Sequence, residues 1–129
     1  MLGKVSLAGT SWATRNEQVL RLFGPLLVVT GILGFVLPAQ LSLMSGATPY
    51  NVFHLAFGSV GSVLAWRRLV SGVIAFNLIF GAIDLYQALA GVTGWFPAQL
   101  FGLRPADHAV HVVIGLFLVG LGYLGKKSG

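Results

Sequence analysis

Asn51-Val52-Phe53-His54-Leu55-Ala56-Phe57-Gly58 opens one apolar run, and its echo, His108-Ala109-Val110-His111-Val112-Val113-Ile114-Gly115, opens another. Residues three apart share a helix face, so Asn51/His54 and His108/His111 each form a polar pair one turn ahead of a glycine. Both pairs stand at the start of segments of near membrane length, where a histidine is uncommon and needs a physical reason.

The composition around these stretches points to a bilayer. Of 129 residues, 56% are hydrophobic and 9% are charged, against about 25% charged in soluble domains. Eighteen glycines suit closely packed transmembrane helices better than a soluble core. The net charge of +5 comes from eight basic residues, too few and too scattered to track a phosphate backbone, so no nucleic-acid partner is expected. The basic residues instead flank the apolar runs, at the depth of anionic headgroups. With no cysteine, disulfides, thiolate metal sites and cysteine nucleophiles are excluded.

Four apolar runs are expected to form helices, at about residues 19–37, 51–66, 69–95 and 106–125. Residues 1–18 read as a cytoplasmic N-terminal segment, in which Thr14-Arg-Asn-Glu17 has the form of a capping box. Residues 126–129 read as a basic tail. The second run, about sixteen residues, falls short of the roughly twenty that cross a bilayer, but Arg67 and Arg68 extend it by snorkelling. Four crossings put both termini on one side, with Lys4, Arg15, Arg21, Arg67, Arg68, Lys126 and Lys127; the other side carries Arg104 alone. By the positive-inside rule both termini are cytoplasmic.

A repeat orders the runs. Gly31-Ile-Leu-Gly34-Phe35 and then Pro38-Ala-Gln-Leu41 precede the first histidine motif; Gly91-Val-Thr-Gly94-Trp95 and then Pro97-Ala-Gln-Leu100 precede the second. Each unit is one helical hairpin entering from the cytoplasm. The expected fold is therefore all-α, a polytopic four-helix transmembrane bundle built from two parallel hairpin repeats.

Three of these motifs also carry a resemblance: Gly31-Ile-Leu-Gly34-Phe35, Asn51-Val-Phe-His54-Leu-x-x-Gly58, and Ala106-Asp107-His108-Ala-Val-His111-Val-Val-Ile-Gly115. From about residue 20 to 124 the chain resembles a family of small bacterial four-helix membrane proteins known only as a domain of unknown function. The resemblance implies an integral protein of the bacterial inner membrane and lends no activity.

Few polar groups lie inside the runs. Asp84 is the only carboxylate deep in one, and Asn77, Gly81, Asp84 and Ala88 recur at helical spacing, giving the third helix a polar, small face that should pack inward. At about 1.5 Å per residue, Asp84 lies within about 6 Å in depth of His54 and His111. In the plainest reading Asp84 bonds one histidine, while Asn51, Asn77 and Thr30 bond across helices as structural polar residues. A second reading makes His54 or His111 the axial ligand of haem or chlorophyll, with the following glycine leaving room for the ring. A third has His108, His111 and Asp84, with His54, holding a divalent metal. A fourth makes Asp84 part of a small transporter or proton relay.

Enzyme signals are missing. Gly58-Ser-Val-Gly-Ser62 has no strand or lysine around it and is not a phosphate loop. Ser59, Ser62 and Ser71 have no base beside them, and the acidic residues are dispersed. The expectation is a non-catalytic accessory or scaffold subunit. Its partners are the lipid bilayer and larger membrane-protein subunits of a respiratory or photosynthetic complex, in a bacterial inner or photosynthetic membrane.

Overall fold

The computed structural model describes residues 11–128, which are all-helical. The elements are α1 (Trp12–Val36), a 3-10 turn (Ala39–Leu41), α2 (Thr48–Trp66), α3 (Val70–Thr93), the one-turn α4 (Ala98–Phe101) and α5 (Pro105–Ser128). Three of them, α1, α3 and α5, are long and apolar enough to cross a membrane. At 19 residues, α2 is the shortest of the long helices.

The first helix begins well before the expected residue 19. Ser11, in extended backbone, accepts the Thr14 N–H on its side chain at 3.1 Å and is the N-cap. The expected cap, Thr14, lies inside the helix, so a serine three residues earlier satisfies the free donors. Of the expected N-terminal segment, residues 1–10, including Lys4, lie outside the described residues. At the other end, Lys126 and Lys127 belong to the last turn of α5 rather than to a separate tail, where their charge opposes the negative end of the helix dipole.

Two turns fix how the helices follow one another. Between α2 and α3 the chain reverses within residues 67–69, with Arg68 at φ 55° and the Leu69 N–H bonded to the Leu64 carbonyl at 3.0 Å. Gly94, at φ 80°, ends α3 by donating to Ala90 O; that left-handed conformation suits a residue with no Cβ.

α1 packs chiefly on α2, and α3 chiefly on α5, with α1 also touching α3 and α5. The burial pattern recurs at one spacing. The buried positions of α1 are Asn16, Leu20, Gly24, Leu27 and Gly31. Moved along by 57, they land on Val73, Asn77, Gly81, Asp84 and Ala88, all buried in α3. The same step carries Tyr50, His54, Gly58, Gly61 and Ala65 of α2 onto Asp107, His111, Gly115, Leu118 and Gly122 of α5, again all buried. Contacts follow the same step: Gly34 faces Asn51, and Gly91 faces His108. By contact Gly34 therefore corresponds to Gly91, one helical turn away from the motif matching that sets it against Gly94.

The interior holds an apolar middle layer of Leu20, Phe76, Phe80 and Leu118, with Phe23 packed edge-on to Phe80 at 5.7 Å between ring centres. Polar side chains are also inside: Asn16, Asn51, His54, Asn77, Asp84, Gln87, Asp107 and His111 are all buried. The outside is apolar; Leu22 on α1 and Val113 on α5, for example, are 78% and 65% exposed. A surface this apolar around a partly polar interior is what a lipid solvent selects.

The tightest crossings should be the least tolerant. A Cβ at Gly58 would lie 2.8 Å from Gly24 O, and one at Gly115 would lie 2.9 Å from Gly81 O, whereas Gly120 has nothing within 4 Å. Gly58→Ala and Gly115→Ala are expected to destabilise by about 1–3 kcal/mol through overpacking, and Gly120→Ala to have no effect. Thermal unfolding in detergent checks this; an unchanged midpoint for Gly58→Ala would contradict the close crossing.

Candidate functional site

Most of the buried polar residues gather at the end where the loops 37–47 and 94–104 lie. Pro105 opens α5, a position where its missing N–H costs nothing. Asp107, two residues on, reaches back so that Oδ2 accepts the Arg104 N–H at 2.9 Å. The same oxygen accepts the Ser45 N–H of the other loop at 2.9 Å. Its second oxygen, Oδ1, accepts the Tyr50 hydroxyl at 3.1 Å. One fully buried carboxylate thus joins α5 to α2 and to both loops.

The Tyr50 oxygen also lies 2.8 Å from His111 Nε2. With its single proton given to Asp107, the phenol accepts from His111 Nε2–H. His54, one turn along α2, lays its ring against Tyr50 at 4.2 Å between centres. Around this knot Ser45 Oγ donates to Phe101 O, and Arg104 Nη1 donates to Ser42 O at 2.6 Å and Ala39 O at 3.3 Å. The loops are therefore stitched to each other as well as to the helices.

Behind the knot lies a cavity of about 140 Å³, lined by Asp84, His54, His111 and Tyr50 together with Phe23, Phe80, Leu27 and other apolar side chains. It shares Thr30, Met44, His54 and Val110 with an open cleft of about 490 Å³ between α1 and α5, roofed by residues 39–46. Asp84, only 3% exposed, makes no hydrogen bond or ion pair among the described residues. His54 makes no hydrogen bond among them either.

The residues singled out in the sequence thus divide. Asp84, His54 and His111 do converge on one cavity, but no Asp84–histidine hydrogen bond forms. His108 does not join them: its ring lies over Gly91 on α3. Among the described residues no three His, Asp or Glu side chains are placed to hold a metal ion. The trio His108, His111 and Asp84 fails because histidines three apart on α5 point to different neighbours. As a macrocycle ligand His111 fits poorly, since its Nε2 is committed to Tyr50, whereas His54 is not so committed. The inner cavity alone, about 140 Å³, is below the usual 300–1,000 Å³ of a ligand pocket, and only the adjoining cleft of about 490 Å³ reaches that size.

The structural polar residues divide as well. Asn77 Nδ2 donates across to Asn16 Oδ1 at 2.9 Å, and Asn16 Nδ2 reaches Leu121 O at 2.9 Å, tying α1 to α3 and α5 at the end that carries the termini. Asn51 does not bond another helix; it donates to Gly46 O in its own loop at 2.9 Å. Thr30 bonds Leu26 O within α1.

Sequence reasoning missed Tyr50, which it left in the loop, and Asn16, which it left in the N-terminal segment. It also missed Gln87, buried with neither amide atom bonded among the described residues. A signal for Tyr50 was present: Tyr50/His54 and Asp107/His111 are both spaced i,i+4, on one helix face.

Compared with known proteins, the chain matches no family model, no curated protein and no solved structure. Function has to be argued from the site alone.

The two buried carboxyls should respond oppositely to mutation. Asp107→Ala strands Tyr50 and two backbone N–H groups and is expected to cost about 2–4 kcal/mol. Asp84→Asn replaces a buried carboxyl that has no bonded partner and should leave the unfolding midpoint unchanged or higher. Equal losses for the two variants would contradict the division of roles.

Proposed function

We propose that the chain is a non-catalytic accessory or scaffold subunit of a larger complex in a bacterial inner membrane, respiratory or photosynthetic. It would be a four-helix transmembrane bundle of two parallel hairpins with both termini cytoplasmic. The observation that carries this reading is how the polar side chains are spent. Asp107, Tyr50, His111, Arg104, Ser45, Asn16 and Asn77 are engaged in ties between helices and loops. Of the buried polar side chains only Asp84, His54 and Gln87 stay outside such bonds among the described residues.

Three long apolar helices support a membrane location, and α2, at 19 residues and about 1.5 Å per residue, is close to the roughly 30 Å of a hydrocarbon core. The recurrence at a step of 57 supports duplication of a hairpin. Under that reading Tyr50 and Asp107 are equivalent positions that meet near the axis relating the halves. Two identical residues there would repel or leave a lone pair unmatched, whereas a phenol and a carboxylate supply a donor and an acceptor.

The side is set by charge. Arg15, Arg21, Arg67, Arg68, Lys126 and Lys127 fall at the end away from the loops, with Arg21 stacked over Trp66 at 4.6 Å as an interfacial anchor would be. Among the described residues, Arg104 alone lies at the loop end. The exposed apolar faces of α1 and α5 are where lipid or a larger subunit would sit.

Solubilised from its native membrane in a mild detergent, the chain should migrate with larger subunits in a native gel or sizing column. Recovery of all of it as a lone, stable monomer would contradict the accessory role.

A further inference from the structure

Asp84 is, among the described residues, the one carboxylate of the interior that the ties do not use, and His54 beside the same cavity is likewise unbonded. It is 97% buried by its 3% exposure, lines the inner cavity, and has no hydrogen bond or ion pair among the described residues. A carboxylate in a membrane interior is costly unless a counter-charge meets it. The described cations lie elsewhere: Arg104 at the loop end is spent on Ala39 and Ser42 carbonyls, and Arg15, Arg21, Arg67, Arg68, Lys126 and Lys127 sit at the terminal end. Unpaired, the carboxyl avoids that cost by holding its proton; a cationic ligand would let it ionise and pair instead.

The walls define that ligand further. Phe23, Phe80 and Tyr50 present aromatic rings to the same space, and aromatic faces attract a desolvated cation. His54, unbonded, supplies a ring nitrogen that can accept an N–H. At about 140 Å³ the inner space takes a small head group. The adjoining cleft, about 490 Å³, runs out between Leu33 of α1 and Val110 of α5, which are 45% and 40% exposed, so an apolar tail has an apolar exit. On the far side the path is closed by the Phe76, Phe80, Leu20 and Leu118 layer, which makes this a one-sided pocket rather than a channel.

We propose that this cavity is a binding site for a lipophilic amine, whose ammonium head pairs with Asp84 and His54 while its alkyl tail lies in the cleft between α1 and α5. The site itself goes beyond the scaffold reading. Only the lateral exit of the tail toward lipid rests on the membrane placement.

The test is equilibrium uptake of n-octylammonium by the full chain in lipid nanodiscs, measured against empty discs, with n-octanol as the neutral probe of equal length. Saturable binding of one octylammonium per chain is expected, with little binding of octanol. Asp84→Asn should weaken it at least about tenfold, the loss of one charged hydrogen bond, without lowering the unfolding midpoint. Val110→Trp, which plugs the cleft and leaves Asp84 in place, should weaken it too. Uptake no greater than that of empty discs, equal binding of octanol, or binding unchanged in Asp84→Asn would overturn the site. Loss in Asp84→Asn with no loss in Val110→Trp would overturn the lateral exit and, with it, the placement of the tail.

Discussion

Asp107 is the interaction on which the rest of the structure depends. Its carboxylate, fully buried, accepts the Tyr50 hydroxyl and two backbone N–H groups, one from each loop. α2 and α5 do not otherwise approach closely among the described residues, so the side chains of Tyr50 and His111 bridge the long diagonal between them. Without that bridge each hairpin would still hold itself together through its glycine crossing, but their loop ends would share few polar contacts. In a medium with no water to offer, a satisfied network of this kind specifies one arrangement, whereas a partly satisfied one would be expensive.

The opposite end is held by a smaller device. Asn16 takes a hydrogen bond from Asn77 and gives one to Leu121 O, and the missing side chain of Gly125 leaves room for its amide. Between the two polar ends lies the phenylalanine and leucine layer, which needs only shape. The protein thus alternates polar tie, apolar layer and polar tie along its length. Asp84 stands just on the loop side of the layer and lines the inner cavity, belonging to neither tie.

Much of this was legible in the sequence, and the failures have physical causes. Hydropathy and charge placed the long helices, because burial of backbone in lipid demands continuous apolar runs. The start of α1 was misplaced because residues 12–18 are polar on average, although Asn16 among them faces inward. The gathering of Asp84, His54 and His111 could be anticipated from depth alone. Their partners could not, since hydropathy treats Tyr50 as an interfacial residue and says nothing of the direction in which its hydroxyl points. His108 misled because spacing of three along a helix places side chains near one another without aiming them at a common centre. The motif register slipped by one turn in the first helices for a similar reason: glycines recur every three or four residues there, and only contact decides which one faces Asn51 and which faces His108.

The central claim is that Tyr50 and Asp107 act as one tie between the hairpins. A double-mutant cycle of Tyr50→Phe and Asp107→Asn, read by reversible unfolding in detergent or bilayer discs, tests it most directly. The account predicts that the losses are not additive, with a coupling of about 0.5–3 kcal/mol between the two side chains. Strictly additive losses would mean that the phenol and the carboxylate do not meet, and the hairpins would have to be joined by something else.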